Sequence, residues 1–448
     1  MIGTFTKNTL ITFVTRAVTV IFSIGITIII ARILGPGGQG IYSLAILLPT
    51  LLLIFTGFGI NVASVFYIGK RKYSPKEVFG QNIIFTFLIS IFAILIGLII
   101  IFFFSDKLFP GVEKEYLFLA LSLIPFALFF DLASSILLGL QKIKKYNIIS
   151  FLQSLLFLVL VGILLLGFRF WITAAISAQV FSYVLTGIIL FFITKKETGG
   201  LLLKFNKQYF QNALSYGFKV YLGGIFGFLH YRMDLFLINF FINPIAVGFY
   251  YVAVKLAEGI WLLSTSAATV LFPKVTTLEK DSKQLKEFTP LVCRNVLFIT
   301  FLIAFLLFVF SRWIIVLFYS EEFLDSVRPF QILLIGTLFT AGWRILANDI
   351  QGRGKPILNT YIIIFSAILN IILNILWIPR WGIQGAAWAT VVSYLTALIV
   401  TVFIYSKISD NKIKDIIFFQ KTDIGFYKSV LINLKNLKMR VLNNYFSA

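Results

Sequence analysis

The sequence predicts an all-α integral membrane protein, with 12 transmembrane helices in two six-helix lobes related as a parallel repeat and a central cavity between them. Three observations predict it. Hydrophobic residues make up 59% of the 448 and charged residues 13%, which leaves too little polar surface to coat a water-exposed globule. Runs of about 20 apolar residues, each long enough to cross a bilayer, fill almost the whole chain. Landmarks of the first half return in the second about 210 residues later.

In chain order the spans fall near 9–33, 41–68, 79–104, 116–140, 148–167, 171–194, 214–240, 244–272, 291–319, 327–350, 357–378 and 383–406. The first is longer than the apolar core of a signal peptide and runs without a small-x-small cleavage site into Arg32, so it is expected to stay in the mature chain. Gly35, Pro36, Gly37 and Gly40 suit a tight turn between spans 1 and 2; their G-x-G-x-x-G spacing has no βαβ unit around it and is rejected as a dinucleotide site. Gly352-Arg353-Gly354-Lys355 lacks the spacing and hydroxyl of a phosphate loop and reads as a turn.

Residues 195–213, where Phe205, Tyr209 and Phe210 alternate with Lys204 and Lys207, suit an interfacial helix linking a lobe of 1–194 to a lobe of 214–406. The tail, 407–448, is expected to be a basic amphipathic surface helix with Val430, Leu434, Leu437, Val441 and Tyr445 on one face.

The repeat is legible at three places. Pro36 and Gly40-Ile41-Tyr42 return as Pro244 and Gly248-Phe249-Tyr250 at an offset of 208. Arg169, Ile172, Ala175 and Ser182-Tyr183 return as Arg380, Ile383, Ala386 and Ser393-Tyr394 at 211, and Gly139 and Lys142 as Gly352 and Lys355 at 213. Six spans is an even number, so both halves enter the membrane in one orientation, and a cleft between them can open to either side by rocking.

The net charge of +21 would suggest nucleic acid in a soluble chain, but here its location decides the matter. Loops after even-numbered spans hold seventeen Lys and Arg, beginning with Lys70, Arg71, Lys72 and Lys76, whereas those after odd-numbered spans hold six, or seven with Arg312. The positive-inside rule then places both termini in the cytoplasm of a multi-pass cell-membrane protein with no nucleic-acid partner. The lone Cys293 can form no internal disulfide. One histidine and no cysteine cluster leave catalytic triads, metal sites and cofactors without support.

Charges inside spans cost at least a few kcal/mol unless they face protein or water, which marks them as candidate functional residues. They are Arg16, Asp131, Lys219, His230, Arg232, Asp234, Lys255, Glu258, Arg344 and Asp349. Bland readings compete: Arg16 and Lys219 lie near span ends and can snorkel, Lys255 can neutralise Glu258 three residues on, and Arg344 can pair with Asp131 or Asp349. His230 reads as structural glue. Gly217, Gly223, Gly224 and Gly227 allow span 7 to pack closely or bend.

The run Ala31-Arg32-Ile33-Leu34-Gly35-Pro36-Gly37-Gly38-Gln39-Gly40-Ile41-Tyr42, followed by Gly57-Phe58-Gly59-Ile60 and a basic loop, resembles the opening of the Wzx-like polysaccharide flippases. That family belongs to the multidrug/oligosaccharidyl-lipid/polysaccharide exporter superfamily, and the resemblance covers residues 5–406. It implies a carrier, not an enzyme, that moves a polyprenyl-pyrophosphate-linked oligosaccharide from the inner to the outer leaflet. H+ or Na+ would be the coupling ion, and the lipid bilayer and other polysaccharide-assembly proteins the partners. A pyrophosphate needs cations in a low-dielectric cleft, a role that Arg16, Arg232, Arg344, Lys219 and Lys255 can fill, while Asp131, Asp234 and Glu258 suit ion coupling.

Three alternatives are weaker. The peptidoglycan-precursor flippases usually have two further spans, and 407–448 is too charged to form them. Multidrug cation antiporters of the superfamily want an acidic cavity. A membrane glycosyltransferase or polymerase commonly presents a large outer loop, whereas 105–115 and 320–326 are short.

Overall fold

The computed structural model describes residues 2–167, 171–277, 283–420 and 423, and among these the chain is helical with no strand. The helices are α1 (Ile2–Thr56), α2 (Ile60–Gly69), α3 (Pro75–Leu108), α4 (Lys114–Leu121), α5 (Leu123–Gly139), α6 (Ile143–Gly162), α7 (Trp171–Glu197) and α8 (Lys207–Phe241). There follow α9 (Pro244–Gly259), α10 (Trp261–Thr277), α11 (Lys283–Val309), α12 (Ser311–Tyr319), α13 (Val327–Gly352), α14 (Pro356–Ser409) and α15 (Ile413–Ile417). Nine helical segments among the described residues are long and apolar enough to cross a bilayer. Helices are what such a sequence must form, because in hydrocarbon every backbone N–H and C=O has to be paired within the span.

Several expected spans are built differently from a single rod. The turn between spans 1 and 2 is one residue: α1 is continuous except at Gly35, whose φ of 66° and ψ of −177° leave the helical region. Thr19–Ile30 and Gln39–Thr50 on either side of it line the same cavity, as the two arms of a hairpin do. Gly382, φ 61°, interrupts α14 in the same way. The expected span 41–68 is divided at Gly57–Gly59 between α1 and α2, 116–140 at Ser122, 244–272 at Ile260 and 291–319 at Phe310. Expected span 5 ends in a π-helical turn, Ile163–Gly167.

The linker also departs from expectation. It is not one interfacial helix over 195–213: α7 runs to Glu197, residues 201–206 are non-helical, and helix resumes at Lys207, where the Asn206 side chain caps α8 by accepting from Tyr209 N at 3.0 Å. The non-helical stretch is zipped to the start of α3. Leu202 N donates to Lys76 O at 3.2 Å, Asn206 Nδ2 donates to Glu77 at 2.6 Å, and Gln81 Nε2 donates to Lys204 O. The first turns of α8 then pack on α2 and α3, where Tyr209 is fully buried within hydrogen-bond reach of Ser64.

Beyond α15 the chain is held to α11 by a buried bidentate pair, Arg294 to Asp423, at 2.8 and 2.7 Å. Burial alone would raise the Asp423 carboxyl, but the Arg294 guanidinium and the Gln420 amide hold it below the usual carboxylate range. The amphipathic helix expected over the rest of the tail lies outside the described residues.

Candidate functional site

The two copies of the repeated Pro–Gly landmark meet face to face. A Cβ placed on Gly40 would fall 1.7 Å from the Pro244 carbonyl oxygen, and one on Gly248 would fall 1.9 Å from that of Pro36. The contact is reciprocal: Gly40 touches the partner motif's Pro, Gly248 touches the first motif's Pro, and α1 and α9 pack there as a self-complementary surface. Only glycine allows two backbones this close.

A second pin joins α2 to α8. There a Cβ on Gly217 would lie 2.3 Å from the Phe58 carbonyl oxygen, and one on Gly59 2.5 Å from that of Gly217. Gly40 and Gly59 are nineteen residues apart in a mostly helical stretch, about 28 Å at 1.5 Å per residue, so the pins stand roughly a bilayer core apart.

Between the pins lies a cavity of about 270 Å³ lined by α1, α6, α7, α8 and α9. Its walls are unlike. From α1, α6 and α7 come neutral hydroxyls and amides, among them Ser23, Thr27, Gln39, Ser43, Gln153 and Gln179. From α8 and α9 come the cations Arg232 and Lys255.

Arg232 donates two hydrogen bonds to Glu258, at 2.6 and 3.1 Å, and the pair is largely buried. Lys255 lies 3.7 Å from the same carboxylate and over the Tyr251 ring. Arg344 stacks on Trp261, its guanidinium carbon 4.1 Å from the ring centroid, close to Tyr231 as well. Two cations therefore contact one acid in the second half, and a third, Arg344, stacks on Trp261 three residues beyond it.

Asp234, two residues from Arg232, belongs to a different network. It accepts from Tyr250 Oη at 2.8 Å and from Leu235 N, and Tyr250 is in turn 3.4 Å from Thr390. Asn370 Nδ2 reaches Thr390 and Ser393, and Asn374 Nδ2 donates to Asn370 at 3.0 Å, leaving its own buried Oδ1 without a partner among the described residues. The repeat carries over to these contacts. Tyr42 donates to Gln179 at 2.6 Å, and adding 208 and 211 to those two numbers gives Tyr250 and Thr390.

The remaining sequence-predicted residues are dispersed. Arg16 is exposed and reaches Thr269 of α10 at 3.5 Å, one turn from Thr19 at the cavity edge. Asp131 lines a separate recess of about 390 Å³ with Asn61, Ser134, Ser135 and Tyr146, so it does not meet Arg344. Asp349 pairs with Arg353 and Thr289 instead of with Arg344, and His230 meets Ser393 at 3.0 Å. The side chain of Lys219 lies outside the described residues.

Charge-centred reading passed over the neutral wall. Its signal was present, since Thr19, Ser23 and Thr27 recur every four residues on one helical face, as do Gln39 and Ser43.

The model of a family described as polysaccharide biosynthesis protein matches residues 5–279, and a second, MatE, matches 279–376. The chain is 25% identical over 402 residues to the Haloferax volcanii protein named probable low-salt glycan biosynthesis flippase Agl15, covering 86% of this chain and 82% of that one. It is 24% identical over 417 residues to the Staphylococcus aureus capsular polysaccharide biosynthesis protein CapF, covering 90% and 99%. Among solved structures, lipid II flippase MurJ in an inward closed conformation superposes with a TM-score of 0.74 at 17% identity over 95% of this chain and 96% of that one, a likeness of fold.

Proposed function

We propose, from the premise that the chain belongs to the polysaccharide biosynthesis protein family, that it is a flippase moving a polyprenyl-pyrophosphate-linked oligosaccharide from the inner to the outer leaflet of the cell membrane. It is a carrier and not an enzyme. The observation that carries the reading is the cavity with two unlike walls: hydroxyls and amides suit a sugar, while Arg232 and Lys255 suit an anion. The relatives named for glycan and capsule synthesis support it.

At about 270 Å³ the cavity is below the ~300–1,000 Å³ of pockets that enclose drug-sized ligands, so the halves must part to admit an oligosaccharide. Releasing one glycine pin at a time opens the cavity to one leaflet at a time. Counting the arms of α1 and of α14 separately, and adding α8, raises nine candidate spans to twelve, six in each of lobes 1–194 and 214–406. The glycines from Gly217 to Gly227 in α8 are the hinge of the rocking motion.

Within this cycle Arg232, Lys255 and Arg344 hold the pyrophosphate, with Arg16 and Lys219 guiding it in. Asp234 and Glu258 are the coupling acids, and Asp131 serves the first lobe in the same way. Purified protein in vesicles is expected to move a polyprenyl-pyrophosphate sugar between leaflets without changing it, faster with an imposed H+ or Na+ gradient. Asp234→Asn should flip at the basal rate and ignore the gradient, because it keeps the Tyr250 contact but loses the charge. New glycosidic bonds in the product would replace the carrier with an enzyme.

Both termini and the lysine-rich loops face the cytoplasm in this reading. With Cys293 replaced, a cysteine at Lys72 should stay unlabelled by an impermeant thiol reagent in intact cells, and one at Glu113 should label. The opposite pattern would invert the orientation.

A further inference from the structure

We infer that the recess between α3 and α8 holds the polyprenyl tail of the substrate while its head group crosses. This rests on the flippase reading. The recess measures about 740 Å³, against about 270 Å³ for the central cavity, and is walled by Phe58, Phe85, Phe92, Phe210, Leu214 and Phe218 among others, with Ser215 the one polar lining residue among those described.

A polyprenyl chain cannot follow the sugar between hydroxyls and amides, because burying those groups unpaired against hydrocarbon costs a few kcal/mol each. It has to travel along an apolar wall beside the cavity. The recess meets that need in three ways. Its walls span the junction of the halves, with Phe85 and Phe92 on α3 of the first lobe, Phe210 in the linker, and Leu214, Ser215 and Phe218 on α8 at the start of the second lobe, so it changes shape when the lobes rock.

It is also continuous with the α2–α8 pin: Phe58 and Ile60 flank Gly59, and Phe218 follows Gly217. A tail seated there is therefore sensed by the contact that must release. Finally, Lys204 and Lys207, both exposed, precede the lining residue Phe210 by six and three residues, on a linker bonded to Gln81 of α3. They complement a pyrophosphate joined to the chain. The aromatic walls offer large apolar contact area to such a chain, and competition against phospholipid decides between the two.

The test fills the recess from its exposed position and varies the tail. Ser215→Trp should lower flipping of a long polyprenyl-pyrophosphate sugar by about tenfold or more and leave a geranyl analogue carrying the same sugar unchanged. Equal loss with both tails, or loss with neither, overturns the assignment. Independently, a diazirine-bearing polyprenyl pyrophosphate should label peptides covering 85–92 and 210–218 of the wild-type protein, competed by unlabelled polyprenyl pyrophosphate and not by excess phosphatidylglycerol. Competition by phosphatidylglycerol would make the recess an ordinary lipid contact. Wild-type protein that flips neither substrate would sink the flippase reading, and photolabelling alone would then decide whether the recess takes the tail.

Discussion

Arg232→Gln is expected to insert into the membrane at normal levels and to lose transport by about 100-fold, ~2.7 kcal/mol of transition-state stabilisation. Arg232 is the cation with the strongest claim on an anionic head group, because it lines the cavity and is already desolvated and oriented by two hydrogen bonds to Glu258. The substitution also strips Glu258 of its main partner, and breaking a buried pair costs about 3–5 kcal/mol. Stability and transport are therefore measured separately. Arg232→Gln with Glu258→Gln should recover thermal stability but not transport, and Arg232→Lys should recover part of the transport because it keeps the charge without the planar fork. If Arg232→Gln transports at the wild-type rate, Arg232 serves only to neutralise Glu258 and the anion-binding wall is wrong.

Gly40→Ala should abolish transport by a different route. Its new Cβ would sit 1.7 Å from a backbone oxygen, so no side-chain rotation relieves the clash and the α1–α9 pin cannot close. Reversing a closed-to-open population from 99:1 to 1:99 takes about 5.5 kcal/mol, which a backbone clash of this depth can supply. The measurement is labelling of Ser43→Cys, on the cavity wall, in protein lacking Cys293: access from the Gly40 end should rise by about tenfold or more over the Gly40 parent. Gly162→Ala in α6 is the control, since a Cβ there meets nothing within 4 Å among the described residues and Gly162 lies outside the pins and the hinge. Wild-type transport by Gly40→Ala would remove the pin from the cycle. Gly248→Ala, its repeat partner, should behave alike.

Both predictions draw on features that the sequence displayed unequally. The Pro36–Tyr42 and Pro244–Tyr250 landmarks were readable as a repeat, yet nothing in one dimension says that the two copies touch, or that Tyr42 and Tyr250 make equivalent bonds to Gln179 and Thr390. Likewise Arg232, Lys255 and Glu258 were visible as charges in apolar spans, and the short spacing from Lys255 to Glu258 already suggested a pair. That Arg232 joins them from another helix was not visible. Asp131 and Arg344 are 213 residues apart, as Gly139 and Gly352 are, which says only that their environments are related by an axis, and the structure puts them in separate places.

By itself the sequence determined the helical membrane class, the family and the residues worth asking about. It could do so because a bilayer imposes local rules: a span must be apolar over its length and must pair its own backbone, and each violation by a charge stands out within its own run of residues. Only the tertiary structure decided which charges share a cavity, that α1 turns at Gly35 without a loop, that the linker lies on α3, and that glycines bring α1 against α9 and α2 against α8. Those depend on how helices far apart in sequence are rotated and crossed, and small residues that permit close approach leave no mark on hydropathy.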